Sequence, residues 1–103
     1  MENNISDEVL LNRFSKGEEA AFNLIFKRYS TLLYASAYNL FRDKQACEDM
    51  VQELFIELWE KRDSLNIRSL KSFLFVCIKN KALMAIRSGK VMISDDILSE
   101  LCS

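Results

Sequence analysis

A chain of 103 residues with 14 bases, 15 acids and no histidine is long enough for one domain with a real core, and it lacks the commonest general base and metal ligand. No proline and only two glycines, Gly17 and Gly89, leave too little turn punctuation for a β-rich fold, so an all-α bundle of about four helices is expected. Cys47, Cys77 and Cys102 are odd in number, far apart and form no C-x-x-C pair, which speaks against a disulfide framework or a zinc site, and no cofactor is expected.

Met1 to Ile5 read as loose, after which Ser6 can cap a helix near residues 7–16 whose first turn carries Asp7 and Glu8 at the positive end of the dipole. Leu10, Leu11 and Phe14 give it an apolar face. Gly17 follows Lys16 and suits a left-handed stop. A longer helix near 19–41 carries Phe22, Ile25, Phe26, Tyr29, Leu33, Ala37 and Leu40 in one stripe, expected to fill the core rather than to stack on bases.

Asp43 can cap a third helix near 44–62, in which Ala46, Cys47, Met50, Val51, Leu54, Phe55 and Leu58 recur at three- and four-residue steps and should face inward. Asp49, Gln52, Glu53, Ile56, Glu57 and Glu60 fall on another face, acidic but for one isoleucine that solvent alone does not explain. This face is expected to bind a partner. Asp63 to Ile67 form a short connection, and Ser69 can cap a helix near 69–88 that Gly89 ends. There Leu70, Phe73, Leu74, Cys77, Ile78 and Ala85 should point inward, with Lys71, Phe75, Lys79 and Lys81 at other angles. Residues 1–90 thus make one helical domain. Residues 91–103 read as an acidic tail, either a short helix around Ile97 to Leu101 or the start of a linker.

Charge is segregated along the chain. Residues 43–63 carry seven acids and three bases, whereas residues 64–90 carry six bases (Arg68, Lys71, Lys79, Lys81, Arg87, Lys90) and no acid. Such a division suits two partners of opposite charge, or two helices that pair with each other. Cations with an outward Phe75 and with Asn80 suit nucleic acid: the bases neutralise phosphates, the ring offers a stacking face, and the amide can pair with base edges. The longest apolar run, Phe73 to Ile78, is far shorter than the ~20 residues that span a bilayer, and no basic-then-apolar leader opens the chain, so no membrane insertion and a cytoplasmic location are expected.

The chain resembles region 2 of the extracytoplasmic-function (ECF) group of bacterial RNA polymerase sigma factors. The likeness rests on Gly17-Glu18, Ala21-Phe22, Arg28-Tyr29, Leu33-Tyr34, the block Glu48-Asp49-x-Val51-Gln52-Glu53-x-Phe55 with Leu58-Trp59, then Phe73-Leu74, Asn80 and Arg87. It implies that the third helix docks on the clamp helices of the polymerase β′ subunit through Asp49, Gln52, Glu53 and Ile56, with Trp59 as a further contact. It also implies that the fourth helix and the preceding loop open and read the promoter −10 element as a single non-template strand, through Asn66, Arg68, Ser69, Lys71, Ser72, Phe75, Lys79 and Asn80. An anti-sigma partner belongs to the same picture, and a module held by that partner without engaging DNA is the alternative. The chain departs from the family at Cys47 (often alanine), Phe73 (often tryptophan), Cys77-Ile78 (often Ile-Ala) and Met84 (often aspartate). Members also carry a second helical domain, region 4, after a linker. A chain stopping at Ser103 therefore reads as a domain fragment or a shortened protein.

Overall fold

Local chemistry sets the helix starts. Ser6 Oγ accepts the Val9 N–H at 3.3 Å, Asp43 Oδ1 that of Ala46 at 3.1 Å, and Ser69 Oγ that of Ser72 at 3.3 Å, each satisfying an amide that the first turn leaves open. The computed structural model describes residues 5–91, with helices α1 (Asp7–Ser15), α2 (Glu19–Phe41), α3 (Lys44–Glu60) and α4 (Leu70–Arg87). The expected tail beyond Val91 lies outside the described residues. Gly17 (φ 85°) and Gly89 (φ 77°) take the left-handed conformation after α1 and α4, as their positions predict. Arg42 does the same after α2 at φ 52°, where no glycine signals it.

The third helix stops two residues short of the expected Arg62 because that side chain folds back. Arg62 Nη1 donates to the Trp59 carbonyl oxygen at 2.7 Å, and the chain then turns through Ser64 N–H to the Lys61 carbonyl at 2.9 Å.

Packing centres on α2, which touches the other three helices. Its buried residues, Ala21, Ile25, Tyr29, Leu33, Ala37 and Phe41, follow strict four-residue steps, the ridge that helices interlock along. This corrects the expected stripe. Phe26 is exposed, Phe22 and Leu40 are only half-buried, and Ala21 and Phe41 take their places inside. Leu10 and Phe14 of α1, Cys47, Val51, Leu54, Phe55 and Leu58 of α3, and Leu70, Leu74, Ile78 and Ala82 of α4 complete the core. Ala46, Phe73 and Cys77 are half-buried at its margin, while Val91 is buried beside Ala85, whose carbonyl oxygen accepts the Val91 N–H at 3.4 Å.

Asp7 fastens α1 to α2. Its carboxylate takes Arg28 Nη1 at 2.7 Å on one oxygen and the Tyr29 hydroxyl on the other. Burial, then the hydrogen bond to Asp7, push the Tyr29 hydroxyl up to about 12. Among the described residues no helix is long and apolar enough to cross a membrane, and no cluster of candidate metal ligands occurs.

Candidate functional site

The outward face of α3 is one row. Asp49, Gln52, Glu53 and Ile56 stand at three-, four- and seven-residue offsets and all are exposed, Ile56 at 57 % of its full surface. Asp49 accepts from Gln45 Nε2 at 2.9 Å, which leaves its carboxylate outside. Trp59 continues the row but is half-buried. Its ring lies 5.1 Å from that of Phe22 and 6.0 Å from that of Phe14, beneath the Arg62 guanidinium, and it lines a depression shared with Glu19, Phe22 and Asn23.

Beside this row α2 and α3 leave a groove of about 340 Å³, lined by Phe26, Ser30, Thr31 and Tyr34 from α2 and Glu48, Val51 and Gln52 from α3. Phe26, Ser30 and Tyr34 form a four-step ridge one position along from the buried ridge Ile25, Tyr29 and Leu33. The sequence signal was present but ambiguous: Ser30 and Thr31 interrupt the apolar pattern, yet Phe26 on the same ridge reads as core. Its ring packs edge-on against Phe55 at 4.9 Å.

The basic segment divides. Lys71, Lys79 and Asn80 on α4, with Asn66 and Arg68 in the loop, are exposed. Phe75, expected outward, is half-buried against the core, so only part of its surface is open. Ser69 and Ser72 are exposed, but Ser69 Oγ caps α4 and lies 3.2 Å from Ser72 Oγ, so the two hydroxyls engage each other. Val76, on the same four-step row as Ser72 and Asn80, is 57 % exposed, an apolar surface that the sequence reading missed. Asn66 also lines a cavity of about 210 Å³ between α1 and the loop, with Leu11, Asn12, Ser15 and Arg62 among its walls.

Lys81 turns the other way. Its Nζ donates to Glu57 at 2.9 Å and Glu53 at 3.1 Å, tying the basic helix to the acidic one. Burial pushes the thiols of Cys47 and Cys77 up, so neither is a ready thiolate.

One all-α domain thus presents an exposed acidic row on α3 and an exposed basic segment on α4 and its preceding loop. Residues 25–91 match the family Sigma-70 region 2, well over half of the chain, and the chain belongs to that family. The match takes in α3, α4 and most of α2, and so both candidate faces. Within the family the chain is similar to the ECF group. It is 36 % identical over 64 residues to proteins named ECF RNA polymerase sigma-E factor from Escherichia coli (strain K12), Shigella flexneri and Salmonella typhimurium (strain LT2), an alignment covering 62 % of this chain and 33 % of each relative. The chain thus spans about a third of the length of the curated relatives it matches.

Proposed function

We propose that this domain acts in transcription initiation in the cytoplasm, docking on the β′ clamp helices of core RNA polymerase through α3 and presenting α4 and its preceding loop to the −10 element. The observation that carries the reading is the exposed row Asp49, Gln52, Glu53 and Ile56 beside the Phe26–Tyr34 groove. An exposed isoleucine flanked by carboxylates and an amide fits a partner surface that is basic around an apolar contact, because charge complementarity steers approach while the buried apolar group holds the complex. The groove extends that surface onto α2.

For DNA, Arg68, Lys71 and Lys79 supply cations for phosphates, and Asn80 supplies an amide for a base edge. Opening a duplex requires a place for an unstacked base, and the cavity beside Asn66 supports that role. Lys81 stands outside this set in the free domain because Glu53 and Glu57 hold it.

Retention by core polymerase, measured with and without promoter DNA carrying an unpaired −10 segment, tests the proposal. Retention that promoter DNA strengthens is the expected result. Binding to an anti-sigma partner with no retention by polymerase would instead assign both faces to an interaction module.

A further inference from the structure

Lys81 lies on the helix that carries the candidate DNA contacts, yet its amine is committed to the helix that carries the candidate polymerase contacts. Its side chain is 20 % exposed, whereas the Glu53 carboxylate it holds is 61 % exposed and open to a cation arriving from outside. Burial of the amine works to lower its pKa, but the hydrogen bonds to Glu57 and Glu53 outweigh it and hold Lys81 above the ordinary lysine value. The amine sits on a flexible four-carbon stem next to exposed Asn80, so it can reach toward a phosphate once released.

We propose that Lys81 is an internal competitor coupling the two faces: it occupies Glu53 and Glu57 in the free domain, and its reach toward a DNA phosphate grows when cationic polymerase groups draw on those carboxylates. The inference rests on the docking and DNA readings above. Each partner then removes what opposes the other. A polymerase cation at Glu53 leaves Lys81 with Glu57 alone and so weakens the hold on it, and a phosphate at Lys81 frees Glu53 for polymerase, with equal coupling in both directions because binding free energies are linked. The residue takes no part in free-domain DNA binding despite its place in the basic segment.

The test titrates the 103-residue chain with oligo-dT at low salt by fluorescence anisotropy. Glu53→Gln with Glu57→Gln releases Lys81, so affinity should rise about fivefold and the salt slope steepen by about 0.7. Adding Lys81→Met should return the slope to that of the wild type, whereas Lys81→Met alone should leave the slope unchanged. A steeper slope that survives Lys81→Met does not come from Lys81 and overturns the proposal. Absence of any steepening overturns it too, as does a shallower slope for Lys81→Met alone. A second arm measures core polymerase, to which Lys81→Met should bind about fivefold more tightly because Glu53 has lost its internal partner. Equal or weaker binding overturns the coupling. If the wild-type chain does not bind polymerase, the docking reading fails, while the oligo-dT arm still decides whether Lys81 is held in check. Both carboxylates are more than a third exposed, so the fold should survive their substitution, and far-UV circular dichroism verifies it.

Discussion

Arg62 places its guanidinium 4.2 Å from the centre of the Trp59 ring and donates to the carbonyl oxygen of the same residue at 2.7 Å. These two residues end α3 and cover the aromatic cluster in which Phe14, Phe22 and Phe55 meet. Arg62→Ala removes a cation–π contact and a carbonyl partner together, and should lower stability by about 1 to 2 kcal/mol. Arg62→Lys should recover only part of this, because an ammonium lacks the planar fork that stacks and donates at once. Trp59 is the chain's single tryptophan, so denaturation followed by its fluorescence reads the change.

Phe55 is 2 % exposed and is met edge-on by Phe22 and Phe26. Phe55→Ala should destabilise the domain by about 3 to 5 kcal/mol, the usual range for truncating a buried phenylalanine. A denaturation midpoint near that of the wild type would contradict the packing of α3 on α2.

Most of the fold was legible because its signals are local. Ser6, Asp43 and Ser69 were readable as caps, Gly17 and Gly89 as stops, and the inward residues of α3 from their spacing. What was not legible depends on partners distant in sequence. The choice between the Ile25 ridge and the Phe26 ridge of α2 is made by where α3 and α4 sit, and two adjacent apolar positions do not encode it. Lys81 is the same case within the candidate site: its number among the bases of residues 64–90 was plain, but its direction follows from carboxylates 24 and 28 positions earlier. Asp49, Gln52, Glu53 and Ile56 were legible as one row because a helix face is fixed by spacing alone.

Tyr29 gives the domain an alkaline signature. Its folded pKa of about 12 lies above the ~10 of an unfolded tyrosine. The neutral hydroxyl therefore contributes stability that is fully present below pH 10 and is lost as pH rises through 12. Tyr29→Phe cannot ionise, so its midpoint should fall less steeply than that of the wild type across this window. Lys81, also held above its ordinary value, contributes equally to both proteins and drops out of the comparison. Melting curves at pH 9, 10.5 and 12 decide it, and parallel slopes would remove Tyr29 from the alkaline loss.

Gln52→Ala with Glu53→Lys should abolish retention by core polymerase. Both residues are exposed, so stability should change by no more than about 1 kcal/mol, the ceiling for a solvent-screened pair such as Glu53 with Lys81. Retention of the double variant at wild-type strength, with its helicity intact, would remove the outward row of α3 from the interface.

The two readers proposed on α4 should separate by kind. Lys79 is exposed and lacks the carboxylate partners that hold Lys81, so against a single strand Lys79→Ala should lower affinity on every sequence and make the salt slope shallower by about 0.7, one phosphate contact. Asn80 carries no charge and presents an amide, so Asn80→Ala should narrow the preference for a matched over a scrambled −10 strand while leaving the salt slope alone. Overall binding should stay weak, because the carboxylates of α3 lie beside the same strand until polymerase covers them. Anisotropy on matched and scrambled single strands at two salt concentrations resolves both effects. If Asn80→Ala shifts the slope and Lys79→Ala shifts the preference, the roles are reversed; if neither changes either quantity, α4 does not face the strand.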